Sequence, residues 1–229
     1  MTRLVMLPGL DGTGKRFDEF IRRVGPAAEV QVIAYPCDEA LGYAELEPLV
    51  RAALPAGRPF VLMAESFSGP LAIRIAADPP PGLAGVILCG TFARNPVPWL
   101  GWARPIAVRL PVKSLPRWLR SVLMWGSVDP NRAPAAADRA TAGVPPPVIR
   151  HRLGEVLSVD ESRRLSSILV PMLVIGARRD RIVPRAATQR LLAAAPHAQY
   201  AEIDGPHLLL QTRPEECTLR ILQFLRRCN

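Results

Sequence analysis

Two serines lie close together in the segment AESFSGP, residues 64–70, directly after the apolar run PFVLM. A serine attacks efficiently only when a base accepts its proton and nearby donors stabilise the oxyanion. A sharp strand-to-helix turn, written G-x-S-x-G, presents such a serine when small residues occupy positions −2 and +2. Around Ser66 these positions hold Ala64 and Ser68, which are both small. Around Ser68, position +2 would hold the rigid ring of Pro70, so Ser66 is the predicted nucleophile.

A candidate acid and a candidate base follow in the chain. Asp180 lies in GARRDRIVP and His207 in GPHLLLQTRPEE, each just after an apolar run. Parallel sheets collect their sites at the carboxyl ends of strands, where all three side chains are expected. Taken singly, Ser66 could cap a helix, Asp180 could pair with neighbouring arginines and His207 could serve a turn. Their joint order and context favour a Ser-His-Asp catalytic triad.

Two backbone N–H groups are candidates for an oxyanion hole. One belongs to Leu10, in the glycine-rich turn LPGLDGTG, and the other to Phe67, directly after the nucleophile. Glu65, on the other side of Ser66, would oppose an oxyanion if its charge faced the site. We therefore expect Glu65 to point away and to pair with an arginine.

The elements that must position these residues alternate along the chain. Short apolar runs predict strands, and segments with apolar residues at helical spacing predict helices between them. The predicted strands are RLVMLPG, EVQVIAYP, PFVLMA, AGVILCG, PMLVIG and AQYAEID. This alternation predicts an α/β fold with a mostly parallel sheet and helices on both faces. The 229 residues, 49% of them hydrophobic and 21% charged, suit one such domain.

The region from residue 92 to residue 165 breaks this alternation. It holds all four tryptophans and ten prolines. Insertions of this length between core elements are usually functional, so we predict a helical cap over a core formed by residues 1–91 and 166–229. The tryptophans are predicted to contact an apolar substrate; they are Trp99, Trp102, Trp118 and Trp125.

Positive charge is concentrated in the predicted cap. The chain has a net charge of +9, and residues 92–165 hold twelve basic and five acidic residues, a net charge of +7. Such a cluster forms either a solvated face or a docking surface for an acidic acyl carrier. Nucleic acid is a poor candidate partner because no nucleic-acid-binding motif accompanies the charge.

The remaining sequence features favour the cytoplasm. No apolar run approaches the length of a membrane span, and the N-terminus lacks the features of a signal peptide, so no stable membrane insertion is expected. The four cysteines have no metal-type spacing and are expected to be free thiols.

The motifs LPGLDGTG, AESFSG, GARRDRIVP and GPHLLLQTRPEE together resemble the α/β-hydrolase superfamily along nearly the whole chain. This resemblance to capped serine carboxylesterases implies triad roles for Ser66, Asp180 and His207, with Leu10 and Phe67 as oxyanion donors. It also implies that the sheet lacks the family's first two strands. An aspartate nucleophile, as in haloalkane dehalogenases and epoxide hydrolases, is disfavoured because the turn carries serine. Such a triad needs neither cofactor nor metal.

The predicted function is hydrolysis of carboxylic esters that have an apolar acyl group. One alternative is an esterase, thioesterase or acyltransferase that acts on acyl groups held by acyl carrier protein or coenzyme A. Pimeloyl-carrier methyl ester esterases of this superfamily use an arginine-bearing cap, and the motifs also resemble plastid enzymes that form acyl esters. Another alternative is a catalytically silent fold that binds a small ligand.

Overall fold

A six-stranded sheet, parallel at every pairing, forms the centre of the protein in a computed structural model that describes residues 3–103, 117–126 and 143–228. The strand order is β2-β1-β3-β4-β5-β6. The strands are β1 Arg3–Leu7, β2 Glu29–Val32, β3 Phe60–Glu65, β4 Leu83–Cys89, β5 Met172–Ala177 and β6 Gln199–Ile203. All six predicted strands form, and the α/β class is confirmed.

Helices follow the strands as the alternation predicted. They are α1 Asp18–Val24, α2 Tyr43–Ala53, α3 Gly69–Ala77, α4 Arg117–Trp125, α5 Pro146–Ser158, α6 Arg185–Ala194, α7 Leu209–Thr212 and α8 Pro214–Leu225. Short 3-10 helices span Lys15–Phe17, Ser66–Ser68, Pro98–Ala103 and Ser162–Ser167.

Both faces of the sheet are buried, because alternate side chains of each strand enter different clusters. In β3, Leu62 and Ala64 pack with residues of α2, α3 and α6, whereas Val61 and Met63 pack with residues of α1 and α8. The central strands are therefore apolar on both sides, and their continuous runs VLMA and GVIL reflect this burial. A scaffold packed in this way holds the loops at the strand ends in fixed positions.

The two ends of the predicted cap lie side by side. The N–H of Glu161 donates to the carbonyl oxygen of Ala93, and the N–H of Asn95 donates to that of Val159. The chain thus leaves and re-enters the core at one place. The boundaries of the cap at residues 92 and 165 stay a prediction, since residues 104–116 and 127–142 lie outside the described part.

Three observations concern other predicted properties. No helix in the described ranges is long and apolar enough to cross a membrane. The same residues contain no cluster of three or more histidine, cysteine or acidic side chains that could hold a metal. The four cysteines, Cys37, Cys89, Cys217 and Cys228, are free thiols, as predicted.

Candidate active site

The chain turns sharply at Ser66, between the end of β3 and the start of α3. Ser66 has a φ of +53°, and it is the one non-glycine residue with a positive φ in the described part of the chain. This conformation is costly for residues with a side chain, and such strain clusters at functional sites. The turn also needs a glycine at position 69, where an added Cβ would lie 2.0 Å from Oγ1 of Thr91. The Thr91 hydroxyl donates a hydrogen bond to the Ser66 carbonyl oxygen, which holds the turn in place.

The structure brings the three predicted triad side chains together. Oγ of Ser66 lies 2.8 Å from Nε2 of His207. Nδ1 of His207 lies 2.7 Å from Oδ2 of Asp180. An ionised carboxylate only accepts hydrogen bonds, so Nδ1 carries a proton and Nε2 is left to accept the serine proton. This geometry lets His207 act as a base toward Ser66.

Asp180 is held by backbone donors of its own loop, which follows β5. Its Oδ1 accepts hydrogen bonds from the N–H groups of Ile182 and Val183, both at 2.8 Å. Its Oδ2 is left for His207. The neighbouring Arg179 pairs instead with Asp204, at 2.9 Å. The simpler interpretation of Asp180 as the salt-bridge partner of its neighbouring arginines is therefore wrong.

The environment of His207 favours its protonated form. Burial by itself lowers the pKa of the imidazole. The charge and the hydrogen bond of Asp180 act in the opposite direction, with a smaller contribution from Glu65. The net result is that the pKa of His207 lies above its usual value. The imidazolium that would form during proton transfer is thus stabilised.

The loop that carries Leu10 runs beside the Ser66 turn. A Cβ added to Gly9 would lie 3.9 Å from Cβ of Ser66. The hydroxyl of Ser68 donates to the carbonyl oxygen of Pro8 and ties this loop to the turn. The loop that carries Leu10 is thus adjacent to the nucleophile turn, and the roles of Leu10 and Phe67 as oxyanion donors stay a prediction that is taken up below.

Glu65 differs from its prediction. Its side chain is buried, 4% exposed, and accepts a hydrogen bond of 3.2 Å from the amide of Gln211. The expected pairing of Glu65 with an arginine is wrong: in the described part of the chain no ion pair joins them, and the nearby Arg16 pairs with Asp11 instead. Burial raises the pKa of the Glu65 carboxyl, although the positive charge of Arg16 opposes this shift.

The three tryptophans whose side chains the structure describes differ in their exposure. Trp125 is buried against Leu208, the residue after His207, and Leu208 donates a backbone hydrogen bond of 3.3 Å to Met124. Trp99 and Trp102 are 63% and 74% exposed, which does not suit the lining of a buried pocket. The side chain of Trp118 lies outside the described part.

The sequence did not predict that two tyrosines hold the backbone and side chains of the turn after Ser66. The hydroxyl of Tyr43 donates to the carbonyl oxygen of Phe67 at 2.9 Å, and the two rings stack with centroids 4.7 Å apart. Tyr35 hydrogen-bonds Ser68. Both tyrosines lie in or near predicted elements, but only the tertiary structure brings them to the turn.

A parallel sheet in the order 2-1-3-4-5-6, a serine on a strained turn after β3, and acid and histidine loops after β5 and β6 define the α/β-hydrolase class. The chain matches the alpha/beta hydrolase family over residues 4–218. It therefore belongs to this family.

Two curated proteins are similar to parts of the chain. The protein named "Putative carbamate hydrolase RutD" from Rhizobium rhizogenes is 37% identical over 76 residues, which are 33% of this chain and 29% of the relative. The protein of the same name from Caulobacter segnis is 32% identical over 103 residues, 44% of this chain and 39% of the relative. The matches thus span well under half the length of these curated relatives.

Among solved structures, the enol-lactonase from Burkholderia xenovorans LB400 superposes with a TM-score of 0.85. The superposition covers 98% of this chain and 91% of the lactonase at 17% sequence identity. At this identity the likeness concerns the fold.

Proposed function

We propose that this protein is a serine hydrolase that cleaves carboxylic esters by acyl transfer to Ser66. The observation that carries the proposal is the unbroken path of hydrogen-bonded side chains from Ser66 through His207 to Asp180, built on a strained turn. A merely structural serine would not need a costly positive φ that aims its hydroxyl at a buried imidazole.

The proposed reaction has two halves. Oγ of Ser66 attacks the ester carbonyl carbon while Nε2 of His207 accepts the serine proton. The tetrahedral intermediate then expels the alcohol, to which His207 returns the proton, and leaves an acyl-enzyme. Water attacks this ester with His207 again as the base, and the carboxylic acid and free Ser66 are released. Asp180 fixes the ring orientation and stabilises the imidazolium in both halves.

The backbone N–H groups of Leu10 and Phe67 are the proposed donors to the oxyanion. Leu10 lies on a loop that packs beside Ser66, and Phe67 directly follows Ser66 in the chain. Each such donor contributes about 3–4 kcal/mol to transition-state stabilisation in enzymes of this kind. The proposed apolar acyl group would lie near Trp125 and Leu208, which form an apolar cluster beside His207.

Ester hydrolysis is tested with p-nitrophenyl acetate, butyrate, octanoate and palmitate, together with a lactone and a carbamate, the compound types in the relatives' names. We expect ester turnover that Ser66→Ala abolishes and that the surface control Ser166→Ala leaves unchanged. A fluorophosphonate probe should label the wild type at Ser66, as located by peptide mass spectrometry. Turnover that survives in Ser66→Ala would contradict the proposed nucleophile. No turnover and no labelling would favour a silent ligand-binding fold.

A further inference from the structure

Arg152, on the cap helix α5, is completely buried and is the largest of the fully buried side chains. Arginine is almost never fully buried without partners, because removing its charge from water is costly unless hydrogen bonds compensate. Burial lowers the pKa of Arg152, yet a guanidinium remains protonated in proteins. The contacts of Arg152 should therefore show what compensates the cost of burying its charge.

The contacts of Arg152 are carbonyl oxygens of two core loops. Its Nη1 donates to the carbonyl oxygen of Leu10 at 3.1 Å, and its Nη2 donates to that of Pro36 at 2.8 Å. Its guanidinium carbon lies 5.6 Å from the ring centroid of Tyr35. In the described part of the chain no carboxylate forms an ion pair with Arg152, and Asp11 is paired with Arg16. The planar fork of arginine thus bridges the loops after β1 and β2.

The loop after β1 is shaped to receive this guanidinium. Gly12 has a φ of +73°, and a Cβ added there would lie 2.5 Å from Nη1 of Arg152. On the other side, the Leu10 side chain packs against a buried cluster that includes Val148 and Ile149 of the same cap helix. Leu10 is therefore held by the cap at both its carbonyl and its side chain.

We propose that Arg152 is a positioning residue that fixes the Leu10 backbone for oxyanion binding, so that the cap must be seated for catalysis. This inference rests on the proposed function. The N–H of Leu10 and its carbonyl belong to two peptide planes that share one Cα. Arg152 and the cap helix hold the carbonyl and the side chain of Leu10, and the N–H of Leu10 shares a peptide plane with the Gly9 carbonyl oxygen, which accepts a hydrogen bond of 2.9 Å from the N–H of Gly12. Together these contacts leave little freedom for the direction of the Leu10 N–H. Donors that stabilise an oxyanion act only when their direction is set in advance.

The cap helix also provides a matched control. Glu155 lies three residues after Arg152, and its Oε2 accepts a hydrogen bond of 3.3 Å from the N–H of Tyr43. This contact also joins the cap helix to the core, but at the start of α2. Glu155→Gln therefore perturbs cap docking away from the Leu10 loop, whereas Arg152→Met removes both hydrogen bonds to the loops at similar side-chain length.

The first readout is kinetic, with p-nitrophenyl butyrate as the substrate. Arg152→Met should lower kcat by about 10- to 100-fold with KM within about twofold, because a misdirected donor weakens only transition-state binding. Arg152→Lys should be intermediate, since an ammonium cannot bridge both carbonyls as a planar fork does. Glu155→Gln should keep kcat within about twofold of the wild type. Thermal unfolding verifies that each variant is folded. If Arg152→Met does not fold, the comparison is made with Arg152→Lys.

The second readout is independent of any substrate. Hydrogen exchange of the peptide that covers residues 8–14 reports on the loop, where the N–H of Gly12 bonds to Gly9 and that of Thr13 bonds to Asp11. We expect faster exchange in Arg152→Met and wild-type exchange in Glu155→Gln. Unchanged exchange in Arg152→Met overturns the inference, and so does an equal kcat loss in both variants. If the wild type is inactive but Arg152→Met still shows faster exchange, the ester function is contradicted, whereas the role of Arg152 in holding the Leu10 loop is supported.

Discussion

The hydroxyl of Ser68 donates a hydrogen bond to the carbonyl oxygen of Pro8, so the residue two places after Ser66 ties the nucleophile turn to the neighbouring loop. The two serines of this turn therefore do different things. Ser66 points its hydroxyl at His207, whereas Ser68 is fully buried and joins two pieces of backbone. Their substitutions should separate chemistry from stability.

Ser66→Ala should reduce kcat for p-nitrophenyl butyrate by about 10⁴- to 10⁶-fold, because the acyl acceptor is lost. Ser68→Ala should retain most of the activity but lower the free energy of unfolding by about 1–3 kcal/mol. The reason is that the buried Pro8 carbonyl oxygen loses the hydroxyl that donates to it. Steady-state kinetics and denaturant unfolding of both variants provide the comparison. The assignment would be reversed if Ser68→Ala were the inactive protein.

The two acids near His207 can be separated in the same way. Asp180→Asn should lower kcat by about 10⁴-fold, because an amide that donates to Nδ1 selects the wrong histidine tautomer. Asp204→Asn should change kcat by less than about twofold, since the exposed carboxylate of Asp204 pairs with Arg179 and exposed ion pairs contribute little. Equal losses in the two variants would show that the loop geometry, rather than the carboxylate at position 180, is what matters.

The pH dependence of kcat/KM should follow His207, which must be neutral to accept the serine proton. Because its pKa is raised above its usual value of 6.5, activity should be lost as pH falls through this higher pKa. The effect on stability has the opposite sign. A raised folded-state pKa stabilises the fold below the unfolded-state pKa, and this contribution is lost as pH rises through the folded-state value.

Glu65→Gln should move the low-pH limb of this profile to lower pH, because Glu65 contributes to the raised pKa of His207. Since burial raises the pKa of Glu65 itself, its ionisation destabilises the fold as pH rises, and the glutamine variant should lack this loss. Kinetics across pH, with unfolding measured at the same pH values, would check both effects. As a control, Glu19→Gln on the exposed face of α1 should leave the limb in place. An unmoved limb in Glu65→Gln would show that Asp180 alone sets the histidine pKa.

The positive charge of the predicted cap, residues 92–165, leads to a prediction about carrier-bound substrates. Arg117 and Arg120 begin α4, and their side chains lie outside the described part. Changing both to Glu should raise KM about tenfold or more for an ester on acyl carrier protein, because steering by opposite charge is lost. KM for p-nitrophenyl butyrate should stay the same. As a control, Arg22→Glu combined with Arg220→Glu makes the same charge change at exposed positions of the core helices α1 and α8. Equal effects on the two substrates would contradict carrier docking.

The sequence by itself determined the fold class, the six strands and the three candidate triad residues. It could do so because buried parallel strands must be apolar and brief, and because their following loops meet at one edge of the sheet. Ser66 could be preferred over Ser68 from local sterics alone, since a proline two positions later does not suit a tight turn.

Only the tertiary structure decided which long-range contacts support this site. Glu65 is the last residue of a strand buried on both faces, so its burial follows from the sheet and not from its own polarity. Arg152 and Leu10 are 142 positions apart, and no local pattern connects them. Trp99 and Trp125 have the same side chain, yet one is exposed and the other packs beside His207. Burial and hydrogen bonding of this kind depend on which segments the fold brings together, and a single sequence does not contain that information in local form.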